Sequence, residues 1–339
     1  MPVPSFTRLL MLSCIIAALS AESAGAQKTD PPLALEARIP LKNVTGRIDH
    51  LSIDLVRRRL FVAELGNNSV DVIDLERRQV MRRMDKLKSP QGIAYVAGRD
   101  ILAVANAGDG TVALFGGAEL TALGSLKLGD DADNIRVVNQ SGQIVIGYGS
   151  GGLARVDLVT RAITVNVKLA AHPEGFQLSN DGARAYVNIT DAKQIAVVDL
   201  AGGRQVAAWT VPGLSANFPM AIDKSGASIA LVYRSPAKLV LLDTASGKVK
   251  SQADTCGDAD DVFFDARRGR IYVSCGGDGG AIDVFDASSV TDPKPVARIA
   301  TSPGARTSLF VPELDRLYVA ARGGVVWGDA SILVFRPNP

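Results

Sequence analysis

A unit of about 42 residues recurs seven times along this chain, and no other feature of its 339 residues constrains the fold as strongly. Each copy opens with a short apolar strand and turns through charged or glycine residues into a second. A Gly/Asn/Asp turn leads to a third strand, often ending in Asp, and a fourth closes the unit. In the first copy these pieces are Leu51–Asp54, Arg59–Ala63, Ser69–Asp74 and Gln79–Arg82. The third strand shows the register best, in Val70–Asp74, Leu153–Asp157, Ile195–Asp199, Leu239–Asp243 and Ile282–Asp286. One first-strand position per copy (Leu51, Ile93, Ile135, Phe176, Met220, Val262 and Ser308) recurs at intervals of 41 to 46 residues. Four short strands at this period are the pattern of a propeller blade. The chain therefore reads as all-β, a seven-bladed β-propeller of four-stranded antiparallel blades.

The last copy supplies only three strands, Leu309–Pro312, Leu317–Ala321 and Ile332–Phe335. Glu36–Pro40 resembles Val296–Ala300, the fourth strand of the preceding copy. An N-terminal strand is therefore expected to close the last blade, which removes the open sheet edges of the ring.

The stretch Arg59-Leu-Phe-Val-Ala-Glu-Leu-Gly-Asn-Asn-Ser-Val-Asp-Val-Ile-Asp74 resembles the YVTN repeat. Arg270–Ser274 and Arg316–Ala320 fit the first half of that pattern, and Gln194–Asp199 fits the second. The match runs over essentially the whole chain after residue 26, so the protein resembles the YncE-like, YVTN-type periplasmic propellers. The Trp-Asp and Gly-His pairs of WD repeats are missing. The resemblance implies the fold and an exported location. It implies no single activity, since such propellers include binding proteins and enzyme subunits.

Residues 1–26 read as a secretory signal peptide. Arg8 is its one cation, Leu9–Leu19 the apolar stretch, and Ala24-Gly25-Ala26 the small-residue cleavage site. Residues 27–339 then form a single propeller domain, most simply periplasmic, with secretion as the other outcome. Beyond this leader no apolar run approaches the roughly 20 residues of a membrane span. In an oxidising compartment Cys256 and Cys275, which flank the hairpin Asp260–Val273, either pair as a disulfide or stay as two small buried residues of one blade.

Antiparallel pairing brings the start of each innermost strand and the end of each second strand to the same face of the disc. Residues just before the seven repeat positions, with those about 13 beyond them, should meet around the mouth of the central channel. Asp49, His50, Asp133, Asn134, Glu174, Asp260, Asp261 and Arg306 come from the first set, and Glu64, Tyr148, Asn188 and Arg234 from the second. Arg136 and both histidines of the chain, His50 in blade one and His172 in blade four, fall at the same face, the histidines across the ring from each other. Two acidic runs echo one another, Gly129-Asp-Asp-Ala-Asp-Asn134 before blade three and Gly257-Asp-Ala-Asp-Asp261 before blade six.

Such carboxylates can hold a divalent cation such as Ca²⁺, with Asp133, Glu174, Asp260 and Asp261 as the candidate ligands. Arginine can clamp a ligand carboxylate. Polar groups at a channel mouth can equally serve unpaired strand ends and ordered water, and no EF-hand loop is present. There is no Cys-x-x-Cys-His motif for covalent haem, no phosphate-binding loop and no His-Glu-x-x-His. A net charge of +2 gives no excess of cation for a nucleic-acid partner. Two readings follow. In the first, a monomeric exported propeller binds a small molecule, a metal ion or an exported protein at its mouth. In the second, it is a lyase, lactonase-like hydrolase or isomerase with His50 or His172 as base among mouth carboxylates.

Overall fold

The computed structural model describes residues 1–2, 30–138, 142–289, 291–324 and 328–339. The leader expectation rests on residues outside that set. From Pro31 to Pro339 the chain forms seven four-stranded antiparallel sheets, each ordered from an innermost to an outermost strand. The last sheet comprises Ser308–Val311, Arg316–Ala321, Ser331–Pro337 and, from the other end of the chain, Leu33–Pro40. Ile39 pairs with Ile332 and Leu33 with Pro337, so the expected closure by an N-terminal strand is present. Among the described residues no helix is long and apolar enough to cross a membrane.

The repeat keeps one register around the ring. Leu51 faces Val62, Ile93 faces Val104, Ile135 faces Ile146, Phe176 faces Val187, Met220 faces Leu231, Val262 faces Val273 and Ser308 faces Val319, an offset of 11 residues in every blade. The Asp that ends many third strands has a local reason. Asp74, Asp157, Asp199 and Asp243 each accept backbone N–H groups two and three residues on, an Asx-turn that starts the hairpin to the fourth strand.

Strand alternation sends apolar side chains to both faces of the middle strands, and these faces meet between blades. Phe61, Val70, Ile93 and Leu102 pack between blades one and two, and Tyr186, Ile195, Met220 and Ile229 between blades four and five. Ile39, Leu51, Leu60 and Ile332 join blade seven to blade one, so the closing strand is also a core element. With apolar burial contributing roughly 25 cal/mol per Å², these interblade layers hold the ring and leave the inner strand ends free for polar work.

Blade six carries a covalent link. Cys256 and Cys275 form a disulfide with a Cα–Cα distance of 5.9 Å. This closes the alternative that the sequence left open, and a loop of this length stabilises by about 3 kcal/mol in the chain-entropy account.

Candidate functional site

The mouth is built where innermost strands begin, and several of them begin irregularly. The pairing shifts between Pro90 and Ile93, between Ala132 and Ile135, between Asn217 and Met220 and between Ala259 and Asp261. A bulge bends the strand and re-aims the side chains it carries. Asp133 and Asn134 sit in the second of these irregularities, Phe218 in the third and Asp260 in the fourth. Blades crowd together here: a Cβ on Gly92 would lie 1.9 Å from the Asp133 carbonyl oxygen, and one on Gly175 would lie 2.4 Å from that of Phe218. Only glycine permits that approach.

Asp49, His50, Asp133, Asn134, Glu174 and Asp260, with Arg47 and Phe218, line a cavity of about 30 Å³ at this end. His50 also lines a second space of about 280 Å³ along the central channel, whose wall includes Ile93, Ile135, Arg136, Met220 and Asp261. The larger space of about 490 Å³ at blades three to five is lined by residues such as Arg136, Asn180 and Lys224 and shares none with the mouth.

One half of the mouth is organised around Asp133. Its Oδ2 lies 3.5 Å from His172 Nε2 and its Oδ1 4.0 Å from His50 Nε2. The histidines, placed across the ring by their blade numbers, thus share one carboxylate, because the innermost strands converge and blade three reaches between them. His172 Nδ1 lies 2.7 Å from the Gly149 carbonyl oxygen and 3.5 Å from Asp131 Oδ2. The contact with Asp133 outweighs burial and, with Gly149 and Asp131, lifts the His172 pKa to about 9. Burial raises Asp133, but His172, His50 and Arg47 together hold it below the usual carboxylate range. Burial pushes Glu174 up to about 7, with the Asp133 charge adding to the shift. Glu174, Asp133 and His172 each place a ligating atom within 4.8 Å of the others.

The other half is organised around arginine. Asp260 meets Arg234 Nη2 at 2.6 Å and Arg306 Nε at 2.8 Å, while Asp258 Oδ1 meets Arg306 Nη1 at 2.6 Å and Arg234 Nη1 at 3.3 Å. The Arg234 guanidinium lies over the Phe218 ring, 3.7 Å from its centroid, a cation–π contact that fixes its plane. Arg47 pairs with the buried Asp49 at 2.6 Å. Even so, burial raises Asp49 above its ordinary value.

Other expected residues lie elsewhere. Asp261 lines the channel below the mouth, where its Oδ2 accepts the Ser308 N–H at 2.7 Å and burial pushes it up to about 7. Arg136 lies in the channel over the Phe176 ring, 5.3 Å from its centroid, and donates to the Ile135 carbonyl. Glu64 is buried inside blade one, bonded to Ser69 Oγ at 2.5 Å, and burial with the neighbouring Asp71 pushes it up to about 8. Tyr148 faces an outer groove and donates to Asn166 at 3.0 Å. Asn188 is fully buried and ties blade four to blade five by donating to the Phe218 carbonyl at 2.8 Å. The last three sit at second-strand ends, one strand further from the axis, where alternation turns a side chain between or outside the blades. Arg234 shares that position but is long enough to reach inward.

Sequence phase missed Arg47 and Arg322. Arg47 stands two residues before Asp49, so extending the phase by one strand step would have found it. Arg322 follows the second strand of blade seven; its buried Nε and Nη2 have no hydrogen-bond partner among the described residues, and Arg306 and Arg47 are its cationic neighbours.

No protein-family model matches this chain, and no curated protein matches it. Solved structures do. A chain of the Kuenenia stuttgartiensis hydrazine synthase structure matches with a TM-score of 0.73 at 16% identity, over 92% of this chain and 98% of that one. A chain of a mitotic checkpoint complex matches with a TM-score of 0.76 at 14% identity, over 96% of this chain and 99% of that one. At these identities the likeness is one of fold.

Proposed function

We propose that this chain is an exported binding propeller of the YVTN, YncE-like kind that takes a small polar ligand at the mouth of its channel. The observation that carries the reading is the convergence of Asp49, His50, Asp133, Glu174 and Asp260, from four blades, on one small cavity. A merely structural mouth would pair its charges, as Asp258 and Asp260 are paired with Arg234 and Arg306. Glu174 has no such partner: among the described residues its carboxylate makes no hydrogen bond or ion pair. Export is supported by the leader pattern and by the Cys256–Cys275 disulfide, a bond that persists in oxidising compartments. The YVTN kinship is supported by the repeat stretch Arg59–Asp74 and its partial copies at Arg270–Ser274 and Arg316–Ala320.

Binding is favoured over catalysis by the placement of His172. Its Nδ1 is taken by the Gly149 carbonyl at 2.7 Å and its Nε2 faces the Asp133 carboxylate at 3.5 Å, so neither ring nitrogen is turned toward a substrate as a general base requires. The test is thermal unfolding of the wild type against a panel of metal ions, sugars, lactones and organic acids. A ligand at a hundredfold excess over its Kd adds about 2.7 kcal/mol. We expect stabilisation by one class, lost in His172→Ala and Glu174→Gln. No response in the wild type to any class overturns the reading, and turnover of a lactone would favour the enzyme.

A further inference from the structure

Building on that reading of the mouth, we infer that its acid–imidazole half is a site for a divalent transition ion such as Zn²⁺, held by Asp133, Glu174 and Nε2 of His172, with a coordination position open to the mouth.

The spacing is that of ligands around an ion. Two donors at about 2.0–2.1 Å from a tetrahedral Zn²⁺ stand about 3.3–3.4 Å apart. His172 Nε2 and Asp133 Oδ2 are 3.5 Å apart, longer than the about 2.7–2.9 Å of a charge-assisted hydrogen bond. The Glu174 donor lies within 4.8 Å of both. Asp133 belongs in such a sphere: its side chain is only 10% exposed, and among the described residues its carboxylate's close cationic partners are the imidazole nitrogens at 3.5 and 4.0 Å.

The orientation of His172 is an independent observation. Its Nδ1–H donates to the Gly149 carbonyl at 2.7 Å, and a backbone carbonyl on one ring nitrogen is the usual support for a metal on the other. The ring is thereby fixed with Nε2 turned toward Asp133. Glu174 is equally well placed. Its N–H bonds the Asn188 carbonyl at 2.9 Å, and Gly175 beside it is pressed against Phe218, so the backbone is held while the carboxylate stays uncommitted.

The donor set selects the class of ion. Ca²⁺ and Mg²⁺ take oxygen ligands almost exclusively, whereas imidazole with carboxylate suits Zn²⁺ and its neighbours. Three protein ligands leave a position for water or a small ligand, as in open rather than structural zinc sites. The cavity of about 30 Å³ has room for it, with His50 and Arg47 on its rim. Asp260, a candidate from sequence, is already engaged by two guanidinium groups. Among the described residues no other trio of potential ligands converges in this way.

Chelator-treated full-length protein, titrated with Zn²⁺, Co²⁺ and Ca²⁺ by calorimetry and by the visible absorption of Co²⁺, tests the inference. We expect one Zn²⁺ per chain, Co²⁺ bands of low coordination number, and Ca²⁺ binding at least a hundredfold weaker. His172→Ala and Glu174→Gln should each weaken Zn²⁺ by a hundredfold or more, the second without disturbing the fold by circular dichroism. Absence of Zn²⁺ binding, or binding that neither substitution alters, overturns the metal site. If Zn²⁺ is silent but an organic ligand still stabilises the wild type, the metal inference falls and the mouth reading stands. Silence to both removes both.

Discussion

Blade three opens with Gly129-Asp-Asp-Ala-Asp-Asn134 and blade six with Gly257-Asp-Ala-Asp-Asp261, two loops of nearly the same composition leading into the same kind of bulged strand. In blade six the carboxylates of Asp258 and Asp260 are taken up by Arg234 from blade five and Arg306 from blade seven. In blade three Asp133 meets two imidazoles at longer range, with an unpartnered Glu174 beside it. The difference lies in neither loop. It comes from what the flanking blades present, and it turns one acidic run into a closed electrostatic joint and the other into an unsaturated donor set. An unsaturated set of buried charges is costly to hold in a fold.

The comparison is broken most directly at its saturated half. Asp260→Asn removes a partner from two guanidinium groups that are 17–18% exposed. Hydrogen bonds to charged groups carry roughly 1.5–3 kcal/mol, so we expect a loss of about 2 kcal/mol in urea unfolding. No loss would mean that the arginines are held by Asp258 and solvent alone.

A buried carboxyl outside both halves separates burial from site chemistry. Glu64 has a folded pKa of about 8 against an ordinary value of 4.5. The folded chain therefore binds the extra proton between those values, and stability falls as pH rises from about 4.5 to 8, then levels off. The slope reaches at most about 1.4 kcal/mol per pH unit for one proton. Glu64→Gln should flatten that fall, so the variant gains on the parent with rising pH. Parallel stability–pH curves for the two would show that Glu64 is already ionised in the fold.

Opposite in sign to the first substitution, Glu174→Gln should stabilise the metal-free protein by about 1 kcal/mol, since it removes a buried carboxylate that lies beside Asp133 and makes no ion pair among the described residues. A destabilisation as large as that of Asp260→Asn would erase the distinction between the halves. The smallest effect is expected at Tyr148→Phe, within about 0.5 kcal/mol. Its hydroxyl bonds Asn166 in an outer groove, so ligand affinity at the mouth should be unchanged.

Much of the fold was legible because it is repetitive. Each of the seven positions from Leu51 to Ser308 occupies an innermost strand at the same offset from its partner, and the strand around Glu36–Pro40 closes the last blade. The site was legible as an end of the ring and less so as a set of contacts. Of the residues that phase brought to this end, Asp49, His50, Asp133, Asn134, Glu174 and Asp260 line one cavity. Phase also offered Glu64, Tyr148 and Asn188, whose positions share the face but whose side chains turn away. Period alone does not say which way a residue at a second-strand end points, since that end lies one strand further from the axis and alternation can turn its side chain between the blades. His172 was seen as a mouth residue but not as a companion of Asp133 and Glu174, since that depends on a turn that lays its ring against Gly149.

What the sequence determined by itself was the number of blades, their register and the end at which polar residues gather, because strand period and antiparallel pairing are local and repeat with the chain. Which acid meets a guanidinium and which meets an imidazole was decided only by closing the ring. Those partners lie in neighbouring blades, tens of residues away, and no periodicity within a blade records them.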